Sequence, residues 1–354
     1  MNRGQYMRFK FSFLFVIVFC FYGCIAMLVK PEELIRFVPV ELKNAEILPS
    51  EDQFQKNYYT VIISDFDTQR LASSSKAYKL VSQANLSTAM TGTLEKYIRN
   101  AGVRLYDGSE RQKKVLIDAA KRNEMLNSKS FHQDPVDFVI LPRINSIDTF
   151  SEYREAHKAK NIFTGKEMIV PSKCYYKSTL SGTIRIYDGS SREIVESIDL
   201  HYHVSGSLKT KHRRCKDWDY IVTLARKCGE KAVKNKRTKI QNCFKPKGYV
   251  EKMMTDSQIY IIKTNIGKKN KLKAMLKAKI FTLKKEKDFF GKERTQKVQV
   301  AKGRVTYVIN EKSAWIQIDA PQMNPSSVIK KGDIVEISFP DTFFDGFNDI
   351  FQGR

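Results

Sequence analysis

A chain of 354 residues, 42% of them hydrophobic, can bury a proper core in each of two domains, which excludes an extended disordered tail. Its 62 basic and 38 acidic residues leave a formal charge of +24, a long-range field that favours anionic partners.

Residues 1–24 read as an export signal. Arg3, Arg8 and Lys10 precede an uncharged apolar run, and Gly23 stands before Cys24. A small residue before cysteine is also the pattern of a bacterial lipoprotein signal, in which the chain is cut there and Cys24 takes the lipid. The alternative is an uncleaved anchor, since residues 11–29 carry no charge and roughly 20 apolar residues span a bilayer. Either way the bulk of the chain is expected outside the cytoplasm, lipid-anchored at the outer membrane and facing the periplasm, or else held at the inner membrane. The abundant polyanions there are lipopolysaccharide, anionic lipid and wall polymers; nucleic acid is not an expected partner. Residues 25–57, with Pro31, Pro39 and Pro49 and little periodicity, predict a tether or a wrapping arm.

An α/β domain is expected over 58–252. Tyr59 to Ser64 is a short β-branched run, the pattern of a strand buried on both faces. Leu86, Met90, Leu94 and Ile98 make one helical stripe, and Gly102 sits where a left-handed C-cap belongs. A strand at 103–106 follows, then a helix opened by Ser109, Glu110 and Arg111 and continued by Val115, Leu116, Ile117, Ala119 and Ala120. After a polar loop at 127–134, residues 136–141 predict another buried strand, and 148–173 a long polar insertion. Leu180, Ile184 and Ile186 alternate on one strand, and Ile194, Ile198, Leu200, Tyr202 and Val204 on the next. Asp188, Gly189, Ser190 and Ser191 mark the turn between them. A helix through Trp218, Ile221, Val222, Ala225, Cys228 and Ala232, capped by Asp217, ends this unit.

Residues 257–340 change to short strands with Lys-rich loops, at 276–283, 296–300, 303–309, 314–318 and 334–337. The Gly332 turn feeds the last of them, the arrangement of a small β-barrel. Residues 341–354 form a tail.

Little in the chain points to chemistry. Ser73 to Lys76 formally contains a Ser-x-x-Lys, but it reads as an exposed Ser-rich loop with no flanking apolar periodicity. No Gly-rich phosphate loop, nucleophile elbow or metal-ligand helix is present, so no enzyme, cofactor or metal is expected. His201 and His203 share a strand face without further ligands nearby. Cys174, Cys215, Cys228 and Cys243 allow two disulfides in three connectivities; the hairpin's return brings Cys174 towards Cys215. Candidate polyanion-binding residues are Lys209, Lys211, Arg213, Arg214 and Lys216, then Lys236 and Arg237, then Lys268, Lys269 and Lys271. Their plain alternative is a set of solvated surfaces.

The order of elements carries a resemblance. Glu110-Arg111, Phe138-Val139-Ile140-Leu141, and Ile186-Tyr187-Asp188 through Glu193-Ile194-Val195 resemble the CsgG family of curli secretion lipoproteins. They are also similar to its relatives: the TolB N-terminal module, the penicillin-binding-protein activator lipoprotein and the FlgT middle domain. The last domain resembles the FlgT C-terminal domain. The resemblance implies an α+β fold, a mixed sheet flanked by helices with anticodon-binding-like topology, followed by the small barrel. It implies a non-catalytic envelope lipoprotein acting as an assembly or scaffold component, packing against copies of itself or other envelope proteins. A polyanion-binding module and a curli-type pore subunit are the alternatives. Against the pore stand Glu152, Arg154, Glu155, His157, Lys158 and Lys160, which would set charges against lipid in the first region matching a membrane-crossing hairpin.

Overall fold

The computed structural model describes residues 28–55, 58–69, 71, 76–122, 136–161, 164–210, 212–287, 289–319 and 324–340, with side chains of 119–122 left aside. The signal with Cys24, Ser73 to Ser75, the 127–134 loop, Lys211 and the 341–354 tail lie outside these residues.

A short 3-10 turn, Pro31–Arg36, leads into β1 (Val38–Val40) and α1 (Glu51–Gln55). The first sheet unit then runs β2 (Thr60–Ile63), α2 (Lys76–Gln83), α3 (Leu86–Asn100), β3 (Arg104–Leu105), α4 (Glu110–Arg122) and β4 (Phe138–Arg154). It continues through β5 (His157–Lys160), β6 (Glu167–Val170), β7 (Lys173–Asp188), β8 (Ile194–Lys209), α5 (Trp218–Asn235) and α6 (Arg237–Cys243). Five strands hydrogen-bond in the order β3-β2-β4-β7-β8, β2 lying parallel to β3 and β4, and the last three being antiparallel. Leu86, Met90, Leu94 and Ile98 of α3 are fully buried against Ile140, Leu180 and Ile184 of the sheet. Helix α5 lies so close to α3 that a Cβ on Gly229 would stand 2.4 Å from Leu86 Cδ1. The predicted caps are present: Asp217 accepts from Tyr220 N at 3.0 Å, and Ser109 and Gln112 satisfy each other's backbone N–H groups.

The second unit comprises β9 (Lys247–Thr255), β10 (Tyr260–Thr264), β11 (Lys277–Lys287), β12 (Glu293–Ile309), β13 (Ala314–Ile318), α7 (Pro325–Val328) and β14 (Ile334–Ser338). All pairings are antiparallel, and β14 returns to β9, so six strands form a ring in the order β9-β10-β13-β12-β11-β14, with β1 added on β9. Ile262, Ile280, Ile316, Val335 and Ile337 fill its interior. The molecule is therefore mixed α/β with several sheets.

Several expectations are corrected here. Lys247–Thr255, placed at the end of the α/β domain, is a ring strand, and β10 was missed, because its short Ile-Ile run lacks the alternation that marks a half-exposed strand. The arm before residue 55 belongs to the ring: Val29 and Phe37 pack with Ile261, Val308 and Trp315. An apolar anchor extending to residue 29 is thereby shortened, since Leu28 and Val29 are buried in this unit. The 148–173 insertion is strand: β4 and β7 stay paired out to Arg154 and Lys173, and β5 and β6 make a hairpin between them. Residues 296–300 and 303–309 form one strand, β12. Ile194 is exposed, because a register shift beside Tyr187 takes it off the alternation that buries Ile198 and Leu200. Lys76–Gln83, read without periodicity, is a helix whose two adjacent apolar residues, Leu80 and Val81, are both buried.

Candidate functional site

A cleft of about 740 Å³ lies where the two units meet. Its floor follows from one glycine. Gly102 ends α3 with φ +82°, and a Cβ there would stand 2.7 Å from Asn270 O, so the helix end abuts the loop before β11. That loop is a 3-10 turn, Lys268–Asn270, with Asn270 buried and its Oδ1 accepting from Gly267 N at 3.1 Å. Lys268 N and Lys269 N donate to Asn310 O and Glu311 O of the β12–β13 turn, which sets Lys312 beside them. Lys271 takes a left-handed conformation, φ 59°. With its backbone fixed, the loop turns Lys269 and Lys271 into the cleft as exposed side chains.

The opposite wall comes from the first unit and the arm. Arg99 near the end of α3 and Arg104 on β3 line it. Arg104 lies over the Tyr58 ring at 4.9 Å and donates to its hydroxyl at 3.3 Å, which holds the guanidinium in place. Phe54 stacks on Tyr249 at 5.8 Å, and its carbonyl accepts from Asn265 Nδ2 at 2.6 Å, clamping α1 to the ring. Five cations thus converge: Arg99, Arg104, Lys269, Lys271 and Lys312. Among the described residues lining the cleft, Glu251 is the one carboxylate, and Lys263 holds it at 2.8 Å. Arg99 meets Glu95 only at 4.0 Å, with the Arg99 side chain mostly in solvent, a contact too weak to neutralise it. The arrangement suits an anionic group, with lysines supplying charge and an arginine supplying a planar donor.

Of the sequence candidates, Lys269 and Lys271 line this cleft, and Lys268 sits on the same turn outside it. Lys236 and Arg237 lie at the α5–α6 junction, away from it. Lys209, Arg213, Arg214 and Lys216 are exposed at the far end of the β7–β8 ribbon, where Arg213 meets Glu155 at 2.7 Å. Arg99, Arg104 and Lys312 were missed because none stands in a run of basic residues, and only folding joins them to the others.

Cys174 and Cys215 are disulfide-bonded, Cα atoms 5.5 Å apart. Among the described residues no second bridge forms. Cys228 lies on the buried face of α5 with its thiol donating to Ser178 O and Tyr202 O of the sheet, and Cys243 donates to Lys239 O on its own helix. Burial pushes both thiols up to about 11, Glu196 adding to the effect at Cys243. His203 is held below its ordinary value by burial, then by Lys177 and His201, and no metal-binding group of three ligands occurs among the described residues.

No protein-family model matches the chain, and no curated protein matches it in sequence. A solved structure, a minor lipoprotein from Acinetobacter baumannii, aligns over 52% of this chain and 90% of its own at 12% identity, with a TM-score of 0.22. A likeness that slight supports no inference.

Proposed function

We propose that this protein is an exported, membrane-anchored, non-catalytic binding protein of the bacterial envelope. In this reading it serves as a scaffold component that engages an anionic group of a partner or wall polymer in the cleft between its two units. The observation behind it is the convergence of five cations from four separate stretches around one carboxylate that is already paired. Export is supported by the basic and apolar start of the sequence and by the Cys174–Cys215 bridge, which suits an oxidising compartment. The scaffold role rests on the resemblance to CsgG-like envelope lipoproteins. The pore alternative is disfavoured by the outer part of β4: the uncharged face, with Ile147 and Tyr153, packs into the core of the first unit, and the free face carries Asp148, Glu152 and Arg154, charges that would meet lipid.

The test is calorimetry of the protein with a heparin octasaccharide as polyanion probe across a salt series. Three or so ionic contacts should give a slope of log affinity on log salt of about −2 to −3. A Lys269→Ala/Lys271→Ala/Lys312→Ala variant, which keeps Arg99 and Arg104, should make that slope clearly shallower; an unchanged slope would remove the cleft from the function. For the anchor, Cys24→Ser should be exported yet released from membranes. A variant that stays bound after a high-salt wash with its N-terminus intact would establish an uncleaved anchor instead.

A further inference from the structure

Strands β11 and β12 outrun the ring. β11 pairs with β14 only from Lys277 to Phe281 and β12 with β13 only from Gly303 onward, yet β11 and β12 stay paired with each other out to Lys287 and Glu293. Of the six residue pairs beyond Phe281, Thr282 is still buried and Leu283 half-buried, and the four from Lys284 to Lys287 carry the ribbon roughly 13 Å beyond the ring. At its end Phe289 and Phe290 are 97% and 84% exposed, their rings meeting edge to face with centroids 5.6 Å apart. Gly291 turns the chain at φ +78° with nothing within 4 Å of its Cβ position.

The charges behind the rings have one predominant sign. Residues 284–297 include six basic and three acidic side chains. Lys297 meets Glu336 and lies 4.2 Å over the Phe281 ring, so it braces the ribbon's base. Lys284, Lys285 and Lys287 stand exposed within a few residues of the aromatic pair. Apolar rings at the extreme end with long cationic side chains one layer behind match the layering of a bilayer surface, in which acyl chains lie beneath anionic phosphates. We infer that the end of this ribbon docks on an anionic lipid surface, Phe289 and Phe290 entering the headgroup boundary while the flanking lysines meet lipid phosphates. The contact shares no residue with the cleft, so either can fail alone.

Full-length protein carrying Phe290→Trp, reconstituted into phosphatidylglycerol or phosphatidylcholine vesicles with the same vesicles also added from outside, tests this. The parent chain, with Trp218 and Trp315, gives the background emission. The added tryptophan should emit to the blue of its value in buffer and be quenched about twofold or more by acyl-chain-brominated phosphatidylglycerol. Replacing Lys284, Lys285 and Lys287 by Gln should reduce that quenching while the circular dichroism stays unchanged. Water-like, unquenched emission in both vesicle types would overturn the inference and leave the ribbon end to a protein partner. Equal quenching in phosphatidylcholine would overturn its anionic basis.

Discussion

Two stretches of dense positive charge, residues 209–216 and 268–271, look alike in the sequence and end in different surroundings. The first lies on an exposed ribbon end, where Arg213 meets Glu155 with both side chains mostly in water, and the field of each cation is screened by solvent. The second lies on a turn whose backbone is tied to Asn310 and Glu311 and whose neighbours from another unit are also cationic. Local density of lysine therefore says little about binding. A concave surface that brings unneutralised charges from separate stretches to face one another is what concentrates a field.

The largest expected effect separates the two regions by stability. Cys174→Ser opens a loop of 41 residues at the ribbon end, which in the chain-entropy model costs about 4 kcal/mol. Urea unfolding should register that loss while heparin affinity of the remaining folded protein stays within threefold; an affinity loss above tenfold would mean the ribbon end takes part in binding.

Next comes affinity itself. The Lys269→Ala/Lys271→Ala/Lys312→Ala variant should bind the heparin octasaccharide about 30-fold to 100-fold more weakly at low salt. Changing Lys209, Arg213, Arg214 and Lys216 to Ala together should cost less than threefold, and the reverse order would break the comparison.

Gly102→Ala sharpens it from the backbone side. A side chain at φ +82° with Asn270 O at 2.7 Å should destabilise by about 1–3 kcal/mol and push the Lys268–Asn270 turn away from α3. Thermal unfolding and the salt slope should fall together; a stable variant with full affinity would show that the turn does not need that contact.

The smallest effect concerns the free thiols. With Cys228 and Cys243 pushed up to about 11, alkylation of the folded protein near pH 8 should be slow, since the thiolate is the reactive form and ordinary cysteine ionises near 8.5. After unfolding without reductant, peptide mapping should find these two labelled and Cys174 and Cys215 protected. Labelling of all four would remove the bridge on which the first prediction rests.

Much of the first unit was legible because its signals are local. The α3 stripe, the Gly102 stop, the Asp217 cap and the Asp188 turn each lie within a few residues, and Asp188 Oδ1 indeed accepts from Ser190 N and Ser191 N. The ring was legible in its strands and not in its membership. β1 and β9 are separated by about two hundred residues and pair because Val38 and Val40 meet Thr255 and Met253, a register that no short window contains. Nor could spacing decide between tether and arm for a segment whose apolar residues are sparse.

Taken alone, the sequence determined the helix and strand periodicities, the Asp217 cap, the Asp188 turn and the excess of positive charge, because each depends on neighbours along the chain. Tertiary structure alone decided which lysines line the cleft, which cysteines bridge, where Ile194 points and which unit the arm joins. Those outcomes depend on distances between residues far apart in sequence. Arg99, Arg104, Lys269, Lys271 and Lys312 come to line one cleft only when a glycine without a side chain lets α3 touch the turn that carries two of the lysines.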